Sequence, residues 1–360
     1  MRAELKSLTM GDLRIEIPII QGGMGVRVST ASLVSAVSNE GAFGVIAAVG
    51  LAEDESAQKY DYPKRSRESL TDSIKETRRM TKNPFGVNIM CALTNYDDLV
   101  DTAQKESVDA IISGAGLPLK LPSLIKNNKT KLIPIVSSAR AAFIICSTWK
   151  RRYKRLPDAI VVEGPLAGGH LGYSMKELED TKNVFLDKIL EEVLLIVRAF
   201  ESDKQKIPVI AAGGIFDGKD IARVILLGAS AVQMATRFVC THECDVSPKY
   251  KEAYLSAKKE DIVVIKSPVG LPGRVIRNDF VKKISEGGRV DFGCVYKCLS
   301  TCDPKKVNYC IAKALVSASR GEMDKGFAMC GSNAYRIKEI ISVKQLIAEL
   351  MSETRDFLNK

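Results

Sequence analysis

Residues 161–172 read Val-Val-Glu-Gly-Pro-Leu-Ala-Gly-Gly-His-Leu-Gly, and residues 207–218 read Ile-Pro-Val-Ile-Ala-Ala-Gly-Gly-Ile-Phe-Asp-Gly. Each is an apolar, β-branched run that ends in paired glycines, and the second opens a helix at Asp217. A third run, Ser230–Met234, passes straight into Ala235, Thr236 and Arg237. Glycines let backbone approach a ligand closely, and a strand-to-helix turn aims free N–H groups at an anion. Two such turns on consecutive strands, with His170 one strand earlier, describe the phosphate rim of a (β/α)8 barrel.

The rest of the chain fits that frame. Eight short apolar runs occur at 17–20, 43–47, 85–90, 108–112, 132–136, 159–162, 209–212 and 231–234. Most lack polar alternation, as parallel strands buried on both faces do. Helical periodicity fills the intervals 30–39, 66–80, 96–105, 119–126, 139–153, 186–200 and 217–227. This alternation predicts an α/β fold, a (β/α)8 TIM barrel over residues 1–237, with an open doubly wound sheet as the alternative. After Arg237 the rhythm stops. Residues 238–330 predict a small, mostly helical lid inserted after strand 8, and residues 331–360 a C-terminal helix, Val343 to Phe357, that returns to the barrel.

Composition bounds the function. Apolar residues make up 46% of the 360 and charged residues 27%, as in a soluble globular protein. The sequence shows neither a secretion-signal pattern nor an apolar run of about 18 residues, so we expect a cytoplasmic protein without membrane contact. The net charge of +10 is dispersed. Its densest run, Lys150–Arg155, closes an amphipathic helix, which argues against a nucleic-acid partner. The nine cysteines suggest no disulfide framework.

The strand ends collect Gln21-Gly22-Gly23-Met24-Gly25, Asn88, Ser113-Gly114-Ala115-Gly116, Ser137-Ser138, Glu163 to His170, Gly213-Gly214 and Gln233 to Thr236. His170 is the one residue there that titrates near pH 7 unperturbed. A glycine-rich rim with little acid–base equipment suggests that a cofactor carries the hard chemistry. Ser138 reads as a helix cap, and the Lys266–Arg274 loop, with Pro268 and Pro272, is stiff enough to wall a pocket. Cys240, His242 and Cys244 read as lid residues. Cys294, Cys298 and Cys302, at i, i+4 and i+8, would span about 12 Å on one helix, too far apart for thiolates at ~2.3 Å from one zinc. The reading is therefore buried thiols and no metal, with a metal, cluster or regulatory disulfide including Cys310 as alternatives.

Gln-Gly-Gly-Met-Gly, Gly-Val-Asn, Ala-Gly-Gly-His, Ala-Ala-Gly-Gly-Ile and Gln-Met-Ala-Thr-Arg-Phe, in this order over roughly residues 15–240, resemble the nitronate monooxygenase family. That family includes the FMN-dependent enoyl-acyl carrier protein reductase II. The resemblance implies FMN at the barrel mouth. Gly22, Gly23 and Met24 would pass under the flavin ring, Asn88 would bond its polar edge, and Glu163 and Gly168 would lie near the ring and ribityl chain. Gly213, Gly214, Gln233, Ala235 and Thr236 would hold the phosphate, and His170 would be the catalytic histidine. Two departures bear on substrate: Leu166 replaces a glutamate common in the family, and Ala235 replaces a glycine. Glu163 is typically Gln in nitronate-oxidising members and Glu in enoyl reductases.

Two chemistries fit this rim. In one, a nitronate is oxidised with O₂; in the other, NAD(P)H as co-substrate reduces an enoyl thioester, with His170 placing the proton. A non-flavin phosphometabolite isomerase or lyase is the rival. A homodimer is compatible with the sequence.

Overall fold

The computed structural model describes residues 5–52, 61–127, 129–180, 182–203, 205–294 and 296–359. A hairpin of β1 (Leu8–Met10) and β2 (Leu13–Ile15) precedes the barrel. The barrel strands are β3 (Ile19–Gln21), β4 (Gly44–Ala47), β5 (Phe85–Met90), β6 (Ala110–Gly114), β7 (Lys131–Val136), β8 (Ile160–Glu163), β10 (Val209–Ala212) and β11 (Ala231–Met234). All pair in parallel in the order β3-β11-β10-β8-β7-β6-β5-β4. Phe43 N donates to Ile19 O and Gln21 N to Phe43 O, both at 2.9 Å, which closes the ring. Each predicted run became a strand, with ends displaced by up to two residues.

The alternation of side chains sorts the apolar residues into two cores. Ile20, Val45, Ile112, Ile133, Val161 and Ile210 point inward, and the hairpin's Leu8, Met10 and Ile15 pack on them. The hairpin thus plugs the barrel's closed end. Its role was not visible in the strand–helix rhythm. The outward residues, among them Ile46, Val87, Ile111, Leu132, Val162 and Val232, pack against the surrounding helices. These are α1 (Ala31–Asn39), α2 (Tyr62–Met80), α3 (Tyr96–Lys105), α4 (Leu121–Leu124), α5 (Ala139–Tyr153), α7 (Leu186–Arg198) and α8 (Gly218–Leu226). α4 is a single turn, its N-terminus occupied by Pro122. Ser138 caps α5 by accepting from Ala141 N, and Asp217 caps α8 by accepting from Asp220 N. In α5, Trp149 is fully buried and donates its indole N–H to Pro118 O at 3.1 Å, as a packed helix residue does.

The insertion is more mixed than the sequence suggested. It has helices α9 (Thr236–Val239), α10 (Pro248–Ser256), α11 (Asp279–Ser285) and α12 (Ile311–Ser319), but also strands β12 (Ile262–Lys266) and β13 (Pro272–Ile276). β13 pairs with β9 (Gly169–His170), so the lid joins the segment that carries His170. The described residues around Cys294, Cys298 and Cys302 form no helix, so the helical geometry used to exclude metal there does not apply. Short α6 (Met175–Glu179) follows β9, and α13 (Val343–Leu358) returns to the barrel against α8 and α1. No helix among the described residues is long and apolar enough to cross a membrane.

Gly218 marks the α13 contact. A Cβ there would lie 2.3 Å from Glu353 Cβ and 2.4 Å from Thr354 N, while its own N–H donates to Glu353 Oε2 at 2.8 Å. Gly218→Ala should therefore push α13 outward and lower stability by about 1–3 kcal/mol, the usual cost of overpacking. A denaturation midpoint equal to that of the parent would show that α13 is not tightly docked.

Candidate active site at the barrel mouth

The strand ends open into an inner cavity of about 230 Å³, lined in part by Gly22, Gly23 and Met24 from the loop after β3. Gln21, fully buried, holds that loop: its amide donates to Ser29 Oγ at 2.8 Å and accepts from Val45 N at 3.2 Å. Met24 N donates to the same Ser29 Oγ at 2.8 Å. Asn88 also faces the cavity, and a Cβ on Gly23 would sit 2.6 Å from Asn88 Cβ. Only glycine lets the loop pass so close.

Glu163, Gly168, His170, Gln233, Ala235 and Thr236 complete the expected set on this wall, and Gly114 and Ala115 join them. Ala235 has φ −129°, so the change from glycine carries no backbone strain. Gly213 and Gly214 do not reach the inner cavity. Both have positive φ, and they turn beneath Gly164, Leu166 and Ala167. The structure thus brings the expected ring-side residues together and sets the paired glycines one layer behind.

The strand–helix rhythm missed the segment that bridges that layer. Residues 329–333, Met-Cys-Gly-Ser-Asn, cross the rim from outside the barrel proper. Gly331 N donates to Thr236 Oγ1 at 2.9 Å, Ser332 N to Leu166 O at 3.2 Å, and Asn333 Nδ2 to Gly214 O at 2.8 Å. A Gly-Ser-Asn turn after a lid was the available signal. Buried Gln233 Oε1 and Ser332 Oγ have no protein partner. Two orphaned polar atoms at a glycine-lined mouth suit a polar ligand, so these residues fit a flavin mononucleotide.

His170 and Glu163 also face an outer pocket of about 780 Å³, walled by Lys266, Ser267, Gly270, Leu271 and Pro272 of the proline-bearing loop, and by Ser137 and Tyr173. His170 Nε2 meets Ser267 Oγ at 2.8 Å. Burial lowers the His170 pKa to about 4, so the imidazole is neutral at pH 7. Burial raises the Glu163 carboxyl to about 7 against the opposing pull of the Arg274 guanidinium. Cys240 and Cys244 are buried thiols, with Sγ contacts to Lys251 O at 3.9 Å and Val28 O at 3.6 Å. Among the described residues no three His, Cys, Asp or Glu side chains are placed to hold a metal ion.

The two shifts act on stability in opposite senses. A carboxyl raised from its ordinary 4.5 to about 7 binds more protons folded than unfolded, so its contribution is lost as pH rises through that window. A histidine lowered to about 4 costs stability as pH falls from about 6.5 toward 4. In the flavin-free protein, Glu163→Gln should raise the melting temperature at pH 8 and change it little at pH 4.5. Equal shifts at both pH values would show that Glu163 is solvated.

The sequence pattern of the family described as "Nitronate monooxygenase" matches residues 6–107 and 91–353. FabK from Thermotoga maritima, an enoyl-acyl carrier protein reductase II, is 34% identical and superposes with a TM-score of 0.75 over 96% of this chain and 94% of its own. The Mycobacterium tuberculosis protein named (3aS,4S,5R,7aS)-5-hydroxy-7a-methyl-1-oxo-octahydro-1H-indene-4-carboxyl-CoA dehydrogenase is 32% identical over 275 residues, 76% of this chain and 67% of its own. A "Probable nitronate monooxygenase" of Staphylococcus aureus is 30% identical over 309 residues, 76% of this chain and 79% of its own. With the closed parallel barrel and its glycine-lined mouth, these matches place the chain in the nitronate monooxygenase family of oxidoreductases.

Proposed function

We propose that this oxidoreductase binds FMN and uses NAD(P)H to reduce an α,β-unsaturated thioester. The observation that carries this reading is the character of the inner cavity. No Lys or Arg is among the described residues that line it, His170 is neutral at pH 7, and Leu93, Leu299, Ile311 and Leu315 supply apolar wall. A small nitronate anion would find no cationic side chain lining the inner cavity and would meet Lys266 only in the outer pocket, so the apolar wall favours a neutral substrate chain. A neutral alkene conjugated to a thioester needs no cation, and its acyl chain can lie along the apolar wall. Two relatives act on acyl thioesters by name, and the glutamate at position 163 is the variant associated with enoyl reduction.

FMN held by the Gly22–Met24 loop would supply the two-electron hydride chemistry that this reduction needs. The chain's own residues manage the proton that the α-carbon then needs. Neutral His170 gives up its ring proton readily only if another reaches the opposite nitrogen. Ser267 Oγ, 2.8 Å from Nε2, is placed to relay it. Glu163, which titrates near neutrality on the same wall, is placed to hold the exchangeable proton.

Mass spectrometry of the released chromophore should identify FMN rather than FAD, and a protein that takes up no flavin would overturn the cofactor assignment. Gly214→Val forces a branched residue into a φ of +85° and should lower FMN affinity more than tenfold, about 1.4 kcal/mol. His170→Ala should retain FMN and its reduction by NAD(P)H but lose roughly 10²–10⁴-fold in turnover of an enoyl thioester. Wild-type turnover of a nitronate with O₂ exceeding that of crotonyl-CoA would sink the thioester reading in favour of nitronate oxidation.

A further inference from the structure

Ala115, in the turn that follows β6, has φ +53°, and Gly116 after it has φ +122°. A residue with a side chain rarely adopts a positive φ, and it persists there only where the surrounding structure holds it, often at functional sites. Three hydrogen bonds hold this turn. Cys91 N donates to Gly114 O at 2.8 Å, the fully buried Ser113 hydroxyl donates to Ile89 O at 2.9 Å, and the Trp149 indole donates to Pro118 O at 3.1 Å. The turn is thus fastened to β5 on one side and to α5 on the other.

These bonds use the carbonyls of the turn and leave its amides unspent. The N–H groups of Ala115 and Gly116 find no acceptor among the described residues. Consecutive N–H groups in a turn form a concavity that suits an anionic oxygen. Ala115 lines both the inner cavity and the outer pocket, as His170 and Glu163 do, and Gly116 lines the outer pocket. Side-chain donors on the same walls are engaged or distant from the interior. The Tyr173 hydroxyl donates to Glu163 O at 2.6 Å, Ser267 Oγ sits on His170 Nε2, and Lys266 is exposed.

We propose that the backbone N–H groups of Ala115 and Gly116 are an oxyanion hole for the substrate's thioester carbonyl, an inference that rests on the thioester reading of the reaction. Hydride addition at the β-carbon brings two electrons, and the C=C π pair shifts toward the carbonyl to give a thioester enolate. The enolate oxygen accepts from the two N–H groups. A proton delivered from the His170 side then reaches the α-carbon and restores the carbonyl. The net change is one hydride and one proton added across the double bond, with NAD(P)H as the reductant. Donors already fixed in place stabilise developing charge without reorganising, and the fastened turn meets that condition. Neutral donors also suit a substrate that is uncharged at its reacting end until hydride arrives.

The direct test removes one N–H and no side chain. Ala115→lactate, made by incorporating the α-hydroxy acid into the full chain, keeps the methyl group and replaces the amide N–H with an ester oxygen. Loaded with FMN, it should retain flavin reduction by NAD(P)H but lose roughly 10²-fold in kcat/KM for crotonyl-CoA, the scale of one lost oxyanion donor. Gly116→glycolate, at the exposed end of the turn, serves the same purpose should the first variant fail to hold flavin. Infrared spectra give a second readout. Butyryl-CoA labelled with ¹³C at its carbonyl should show a lower C=O stretching frequency on the oxidised parent holoenzyme than in water, and part of that shift should vanish in the ester variants. A parent that turns over no crotonyl-CoA would take down the thioester reading and this inference with it. Parent turnover left undiminished in both ester variants, or an unshifted carbonyl on the parent, would overturn the oxyanion hole alone.

Discussion

The guanidinium of Arg274 lies buried behind the active site, where Nη1 donates to Pro165 O at 2.9 Å and also to Ala167 O. Arg274 belongs to β13, and the carbonyls it grips belong to the loop between β8 and His170. β13 pairs there with β9, setting Arg274 opposite Gly169 and Gly273, one residue earlier, opposite His170. Cys330 N donates to Arg274 O at 3.1 Å, which ties the 329–333 segment into the same knot. Hydrogen bonds to a charged donor contribute about 1.5–3 kcal/mol each, and a buried guanidinium without acceptors would be far more costly. The barrel, the lid and the C-terminal segment therefore meet at one cation. It thereby helps to fix the segment between Glu163 and His170 over the mouth, together with Leu171 N donating to Pro272 O at 2.8 Å and Ser332 N to Leu166 O at 3.2 Å.

The electrostatics of the mouth follow from that arrangement. Arg274 satisfies itself on carbonyls and spends little of its charge on Glu163, so burial dominates and the carboxyl titrates near 7. His170, with a hydroxyl partner rather than a carboxylate, stays neutral. A different lid could reverse both outcomes. An acidic residue in place of Ser267 would raise the histidine and favour an anion-stabilising imidazolium. The lid thus governs proton chemistry in a site whose backbone comes from the barrel.

The lid also walls both pockets. α12 contributes Ile311 and Leu315 to the inner wall, the cysteine-bearing loop contributes Leu299, and the stiff Lys266–Arg274 loop walls the outer pocket. The two pockets share Glu163 and His170, so these side chains stand between the inner and outer spaces. The walls of the two pockets therefore come from segments far apart in sequence, whereas the glycine turns of the barrel are local.

The barrel was legible in the sequence because its signals are local: unbroken β-branched runs, helical periodicity between them, caps at Ser138 and Asp217, and glycine pairs where the backbone must turn with positive φ. Most of the residues that line the mouth were legible for the same reason, since strand ends in a closed barrel converge whatever the helices do. Other features depended on contacts between distant segments. The β1–β2 hairpin has no periodicity that declares it a plug. The cysteines of residues 294–302 have helix-like spacing, yet Thr94 and Ala92 hold them as a loop. Arg274, Ser267 and Asn333 acquire their roles only when β13 and the 329–333 turn cross the rim. The sequence by itself determined the scaffold and the glycine-lined mouth, because steric and periodic constraints act between neighbours. Only the tertiary structure decided the proton chemistry, because the shifts at Glu163 and His170 come from burial by a lid folded back over them.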